Sequence, residues 1–179
     1  SVVKELLENS IDAGARHITL EVEQGGVRRI RVTDDGAGIH PDDLPLAMAA
    51  HATSKIYSQQ ELQQIFTLGF RGEALASIAS VSRFTISSRQ PEMGQGQRLE
   101  TVSDNSRSTE LIPCAMPPGT CVEVRELFYN TPARRKFLRT ERTEYLHIET
   151  LVKRLALSRY DVGFKLLHNG RQQIHLSPV

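Results

Sequence analysis

Much that would classify a chain quickly is missing from this one. There are two cysteines, Cys114 and Cys121, with no His or Cys at metal-ligand spacing beside them. That excludes a dense disulfide framework and a zinc ribbon; free thiols in a reducing cytoplasm are the expectation, with a single disulfide left open. The net charge is only +1, so nothing in the bulk electrostatics argues for nucleic acid, and any such contact must come from a local patch. No run approaches the length of a membrane span and no signal-peptide core is present. Internal repeats and low-complexity segments are absent. The phosphate-binding P-loop is missing, the dinucleotide fingerprint fails because Pro41 stands where its last glycine is needed, and no Gly-x-Ser-x-Gly elbow occurs. The six histidines are scattered.

What is present is a globular composition, 39% hydrophobic and 24% charged over 179 residues, the size of one domain. The stretch Val2–Gly14, VVKELLENSIDAG, organises the rest. As a helix it places Val3, Leu6, Leu7, Ser10 and Ile11 on one stripe and Glu5, Asn9 and Asp12 on another. A solubilising helix would carry Lys or Arg four residues after its Glu. Here Asn9 follows Glu5, a neutral oxygen ligand beside a potential base, which suits a hard cation such as Mg²⁺; an ordinary amphipathic helix with a solvated polar face is the alternative. The helical pattern starts so close to Ser1 that little room is left for an N-cap. The chain stops at Ser177-Pro178-Val179 straight after a strand-like run, and the expectation is one domain over 1–179, cut at both ends.

After Gly14, a C-terminal cap residue, the alternation in His17–Glu23 predicts a half-buried strand, Gln24-Gly25-Gly26 a turn, and Val27–Val32 a second strand closing a hairpin. Pro41-Asp42-Asp43 opens a short helix through about Ala50. Glu61–Phe66 and the stretch from Leu68 through Ala79 read as helices, and Phe84–Ser88, Gln97–Val102, Thr109–Pro113 and Thr120–Val124 as strands, with a hairpin loop at Gln90–Gly96. Asn130-Thr131-Pro132-Ala133 starts a further helix. Glu141–Arg159 is the clearest helix, with Tyr145, Ile148, Leu151, Val152 and Leu155 on one face and its acids early, as the helix dipole favours. Val162–Leu167 and Gln172–Leu176 form a last hairpin around Asn169-Gly170. The fold class is α+β: a mixed, mostly antiparallel sheet with helices on one face.

Three loops could carry chemistry. Asp34 with Gly36 and Gly38 follows a strand, and an acid there can accept hydrogen bonds from an exocyclic amine such as that of adenine; a plain tight turn is the competing reading. Gly69-Phe70-Arg71-Gly72-Glu73 precedes a helix, where free N–H groups form an anion site, unless the glycines merely turn the chain. Thr53-Ser54-Lys55 could close hydroxyls and a cation over the same phosphates, or be a solvated linker.

In this order, Glu5 with Asn9, Asp34 with Gly36 and Gly38, Gly69–Gly72, and Gly119-Thr120 resemble the four motifs of the GHKL superfamily of ATP-binding domains, which includes gyrase B, Hsp90, histidine kinases and MutL. Within it, KELLENSIDAG, HATSKI, GFRGEALASI and FYNTPARRKFL are similar to the bacterial MutL family of DNA mismatch repair ATPases. The likeness is weakest over Gln90–Pro118. It implies a Bergerat sandwich that binds ATP and Mg²⁺ and hydrolyses ATP slowly. Glu5 would orient and deprotonate the attacking water, Asn9 would ligate Mg²⁺, and Asp34 would bind the adenine amine with help from Thr120. Gly36 and Gly38 would let the base sit close, while Thr53, Ser54, Lys55, Gly69, Phe70, Arg71 and Gly72 would form the lid. His51, near that lid, would be structural. Implied partners are a mismatch-recognition protein of the MutS type, a downstream repair nuclease or helicase, and a second copy in a homodimer.

Two departures stand out. The family carries an N-terminal dimerisation segment, and a second domain whose lysine reaches the γ-phosphate, and neither lies within these residues. Asp35 stands where many relatives have Asn. A nucleotide-gated interaction module with negligible hydrolysis is therefore a second reading, and another GHKL member, a chaperone or topoisomerase subunit, a third. Arg134, Arg135, Lys136, Arg139 and Arg142 make one basic patch that DNA phosphates could contact; nearby Glu141 and Glu144, and the lack of aromatic interleaving for base stacking, favour a solvated face instead.

Overall fold

The computed structural model describes residues 1–47, 74–103, 106–107 and 110–179. Helix α1 (Val2–Asp12) buries Val3, Leu6, Leu7 and Ser10 and ends where Gly14 takes φ of +76°, a conformation that a side chain resists. Ser1 caps it, accepting the Lys4 N–H at 3.4 Å, so the cap for which little room was expected is the first residue. Strand β1 (His17–Glu23) follows as predicted. Strand β2 covers Arg29–Asp34, two residues later than predicted at both ends. A one-turn 3-10 segment at Gln24–Gly26 occupies the turn, and the polar Thr33 and Asp34 hide the true end of the strand from a hydrophobic pattern.

Residues 44–47 are helical with Leu44 and Ala47 buried. Helix α2 (Ala74–Ser80) precedes strands β3 (Arg83–Arg89), β4 (Gly96–Ser103), β5 (Ser106–Arg107), β6 (Ile112–Cys114) and β7 (Gly119–Arg125). The strand expected at Thr109–Pro113 is β6, which pairs with β4 through Ile112, Pro113 and Cys114. Helix α3 (Pro132–Lys136), helix α4 (Glu141–Ser158) and the hairpin β8 (Gly163–His168) and β9 (Arg171–Leu176) complete the chain. Asn169 and Gly170 both take positive φ, 52° and 82°, the type I′ turn that their sequence predicted.

The sheet runs β5-β4-β3-β7-β2-β1-β8-β9, with β6 on β4. Among the described strands one pair, β1 with β8, is parallel, and the others are antiparallel. Register aligns Leu99, Ile86, Val122, Val32, Leu20, Leu166 and Ile174 in one row across the sheet. All are buried, beneath α1, α2 and α4. The opposite face is charged: Arg29 and Arg31 lie between Glu21, Glu23 and Glu123. Such a sheet, apolar on one side and polar on the other, needs helices only on its inner face. The fold class is as the sequence reading had it.

Candidate functional site

One row further along the inner face, the register sets Ser88 opposite Thr120 and Thr120 opposite Asp34. Polar residues here interrupt an otherwise apolar surface, and all three are at least nine-tenths buried. Asp34 is held firmly: its Oδ1 accepts Gly36 N–H at 2.9 Å and Thr120 N–H at 3.2 Å, and its Oδ2 accepts the Ser10 hydroxyl at 2.7 Å. A carboxylate has about four lone-pair directions, so one on Oδ2 stays open. Burial pushes the Asp34 carboxyl above the usual carboxylate range; the bonds from Ser10, Gly36 and Thr120 pull it back, and neighbouring Asp35 pushes it up again.

Asp34 and Thr120 line a cleft together with Leu6, Asn9 and Ser10 of α1 and with Gly38. Asn9 carries the clearest sign of an incomplete site. Both its Oδ1 and Nδ2 are buried without a hydrogen-bond partner among the described residues, as is Oε2 of Glu5. Buried polar atoms are nearly always satisfied, so an unpartnered amide on a cleft wall fits a ligand. The Asn9 oxygen suits Mg²⁺, which usually takes only one or two protein oxygens alongside phosphates and water. Glu5 shares the Asn9 face of α1 one turn earlier but is not among the residues lining the cleft.

The two glycines are required by the chain itself. A Cβ on Gly36 would stand 2.8 Å from the Ala13 carbonyl, and one on Gly38 would collide with the Arg89 carbonyl. These contacts fasten the 36–38 loop to α1 and β3; Gly38 reaches the cleft and Gly36 does not. Asp35 turns away from the cleft. It accepts the Arg16 and His17 N–H groups at 2.7 and 2.8 Å, and its other oxygen lies 2.8 Å from His17 Nδ1. Burial acts to raise the Asp35 carboxyl, but the His17 and Arg16 bonds outweigh it and hold it below the usual range. Asp35 thus ties the loop to the start of β1.

Thr53, Ser54, Lys55, Gly69, Phe70, Arg71, Gly72 and His51 lie outside the described residues. Two residues of this polar cluster escaped the sequence reading, Ser10 of α1 and Ser88 of the row itself. Ser10 was placed in the apolar stripe of α1, and Ser88 in no motif. The same periodicities held the clue, since each puts a hydroxyl on a face that is otherwise Val, Leu, Ile or Phe.

The basic run 134–142 is at the surface. Arg134, Arg135, Lys136 and Arg142 make no ion pair among the described residues, whereas Glu144 accepts the Arg139 N–H and Glu141 accepts from Asn169. Of the two nearby acids, Glu144 thus meets the run only at the Arg139 backbone, and Glu141 bonds to Asn169 outside it. Phe137, 86% exposed, stands within the run, the aromatic that the sequence reading did not single out. Among the described residues no helix is long and apolar enough to cross a membrane.

Comparison with known proteins places this geometry. The model of the histidine kinase-, DNA gyrase B-, and HSP90-like ATPases matches residues 1–118. The DNA mismatch repair protein MutL of Azotobacter vinelandii is 58% identical over 176 residues, 98% of this chain and 27% of the relative. MutL of Pseudomonas paraeruginosa is 59% identical over 171 residues, again 27% of its length. The chain thus spans about a quarter of the curated relatives it matches. Among solved structures, the Aquifex aeolicus MutL ATPase domain complexed with ADP superposes with a TM-score of 0.78 at 38% identity, covering 99% of this chain and 62% of that one. An anchored acid, an unpartnered Asn on the first helix and a family model spanning more than half the residues agree, and the chain belongs to the histidine kinase-, DNA gyrase B- and HSP90-like ATPases.

Proposed function

We propose that this chain is the ATP-binding part of a MutL-type DNA mismatch repair protein. The observation that carries the reading is the unpartnered Asn9 amide, buried on the wall of the cleft that also holds Asp34. The open direction on Asp34 receives the adenine amine, with Thr120 beside it. Gly36 and Gly38 hold the loop against which the base lies. Asn9 ligates Mg²⁺, which supplies charge neutralisation on the phosphates. Glu5 orients and deprotonates the attacking water. Thr53, Ser54, Lys55, Gly69, Phe70, Arg71 and Gly72 form the lid over the triphosphate.

Hydrolysis in this reading is slow and acts through conformation: lid closure and dimerisation couple mismatch recognition to later repair steps. The partners are a MutS-type recognition protein, a downstream nuclease or helicase, a second copy, and DNA phosphates at Arg134, Arg135, Lys136 and Arg139. The setting is the cytoplasm, in keeping with the free thiols of Cys114 and Cys121. A second reading is a nucleotide-gated interaction module with negligible hydrolysis of its own; Glu5 does not line the Asp34 cleft, although its buried Oε2 has no partner among the described residues.

The test is ATP binding and hydrolysis, with and without Mg²⁺, for the wild type and Glu5→Ala. A wild type that turns over, with a variant that binds but does not, supports Glu5 as the base. Binding without turnover in both supports the gated module, and no binding in either overturns the nucleotide site.

A further inference from the structure

Ser88 has one proton, and where it goes decides how the hydroxyls around it point. Its Oγ accepts the Ile39 N–H at 2.8 Å, and lies 3.0 Å from the Gly119 carbonyl oxygen and 2.7 Å from Thr120 Oγ1. A carbonyl only accepts, so the Ser88 proton goes to Gly119; the contact to Thr120 is then a hydrogen bond only if Thr120 donates. Reversing that sense would set the Ser88 and Gly119 lone pairs against each other where Ser88 is 2% exposed, away from bulk water that could compensate.

Thr120 has therefore spent its proton on Ser88 and offers the cleft lone pairs alone. Ser10 has likewise spent its proton on Asp34 Oδ2. Asp34, as a carboxylate, only accepts. The three oxygens on this side of the cleft are all acceptors.

We propose that Ser88 is a positioning residue that acts through Thr120 to keep the Thr120–Asp34 edge of the cleft acceptor-only, and so selects a 6-amino over a 6-oxo purine nucleotide. The inference rests on the nucleotide reading of the cleft and adds to it a residue that never touches the ligand. An exocyclic amine brings two N–H donors to such a wall. A 6-oxo group brings lone pairs against it, and Thr120 cannot turn its proton to meet them without breaking its bond to Ser88.

The experiment compares the affinities of ATP and of inosine triphosphate, its 6-oxo counterpart, by titration calorimetry. Wild type, Ser88→Ala, Ser88→Thr, Thr120→Val and the Ser88→Ala/Thr120→Val double variant are measured. Wild type is expected to prefer ATP. Ser88→Ala narrows that preference at least tenfold, mainly by tightening the 6-oxo nucleotide; Ser88→Thr, which keeps the hydroxyl, restores it. In the Thr120→Val background Ser88→Ala changes the ratio no further. Ser88→Cys, close in shape and weak in hydrogen bonding, gives the same answer should the alanine variant not fold. An unchanged ratio, or equal weakening of both nucleotides, overturns the inference while the ATP site stands. A wild type that binds neither nucleotide overturns the ATP site and this inference together.

Discussion

Ser10, in the middle of the first helix, gives its hydroxyl proton to Asp34 Oδ2 at 2.7 Å and so fixes the carboxylate at the cleft wall from the side opposite to β7. The bond joins the helix that carries Glu5 and Asn9 to the strand end that carries the acid. Ser10→Ala removes it and leaves that oxygen of Asp34 buried with no protein donor. A loss of about 1–3 kcal/mol is expected, read as a lower urea midpoint together with weaker ATP binding.

Asp34 also dictates a pH response. Burial raises its folded pKa above the unfolded value of 3.8, so the unfolded chain loses this proton first as pH rises. Stability is therefore greatest below the unfolded value and falls as pH climbs from there through the raised folded value. Asp35 has the opposite sign: its lowered pKa gives stability that is present above its unfolded value and is lost as pH falls through the folded one. Urea melts from pH 3 to 7 on the wild type and Asp34→Asn isolate the Asp34 response as the difference between them, because the variant keeps Asp35 and the other shifted carboxylates, Glu149 and Asp161. If the Asp34 carboxylate receives the adenine amine as proposed, ATP binding should weaken on acidification while ordinary exposed carboxylates are still ionised.

Asn9 pays for its place with an unpartnered buried amide. Asn9→Leu removes two unsatisfied atoms and adds a better helix former, and should leave the fold as stable as the wild type or raise it by about 1 kcal/mol. The same change should abolish the Mg²⁺ dependence of ATP binding. A clear loss of stability in thermal melts would show that the amide has a structural role.

Glycines 38 and 94 make a controlled pair. A Cβ at Gly38, φ +74°, meets the Arg89 backbone, whereas one at Gly94 has nothing within 4 Å. Gly38→Ala should cost more than about 2 kcal/mol through strain and collision, and Gly94→Ala should be neutral or slightly stabilising. Thermal denaturation of both variants checks the contrast.

The patch at 134–142 yields a salt-dependence prediction. For DNA held through phosphates, removing Arg134, Arg135 and Lys136 together should lower the slope of log affinity against log salt by about 0.9 per lost duplex contact, with no change in sequence preference. A slope identical to that of the wild type would assign these residues to a solvated face.

The elements legible in the sequence are those with a period. The stripe of α1, the inward residues of β1, β7 and β8, the face of α4 and the Asn169-Gly170 turn all follow from spacing and turn chemistry. Asp34 and Thr120 were named as site residues, yet nothing in the spacing could show that Ser88 shares their row, because cross-strand register depends on strand order. The order β3-β7-β2-β1-β8 pairs strands distant in sequence and leaves no local signature. The end of β2 was missed for a related reason: Asp34 is buried for its hydrogen bonds rather than for apolar area. The glycines of the 36–38 loop were read as making room for a ligand, but their spatial constraint comes from Ala13 and Arg89, which no spacing rule brings near.

The parallel pairing of β1 with β8 also sets a timetable. His17 lies beside Gly163 and Val22 beside His168, so β1 waits for all the chain between it and β8 before its outer edge is covered. During synthesis the β1–β2 ribbon would present an open edge next to Ile18, Leu20 and Val22, and closing that gap carries the entropic penalty of a long loop. This chain should consequently fold late and as a unit, and a ribosome-bound or prematurely ended product that stops before Gly163 is the species most exposed to edge-to-edge aggregation.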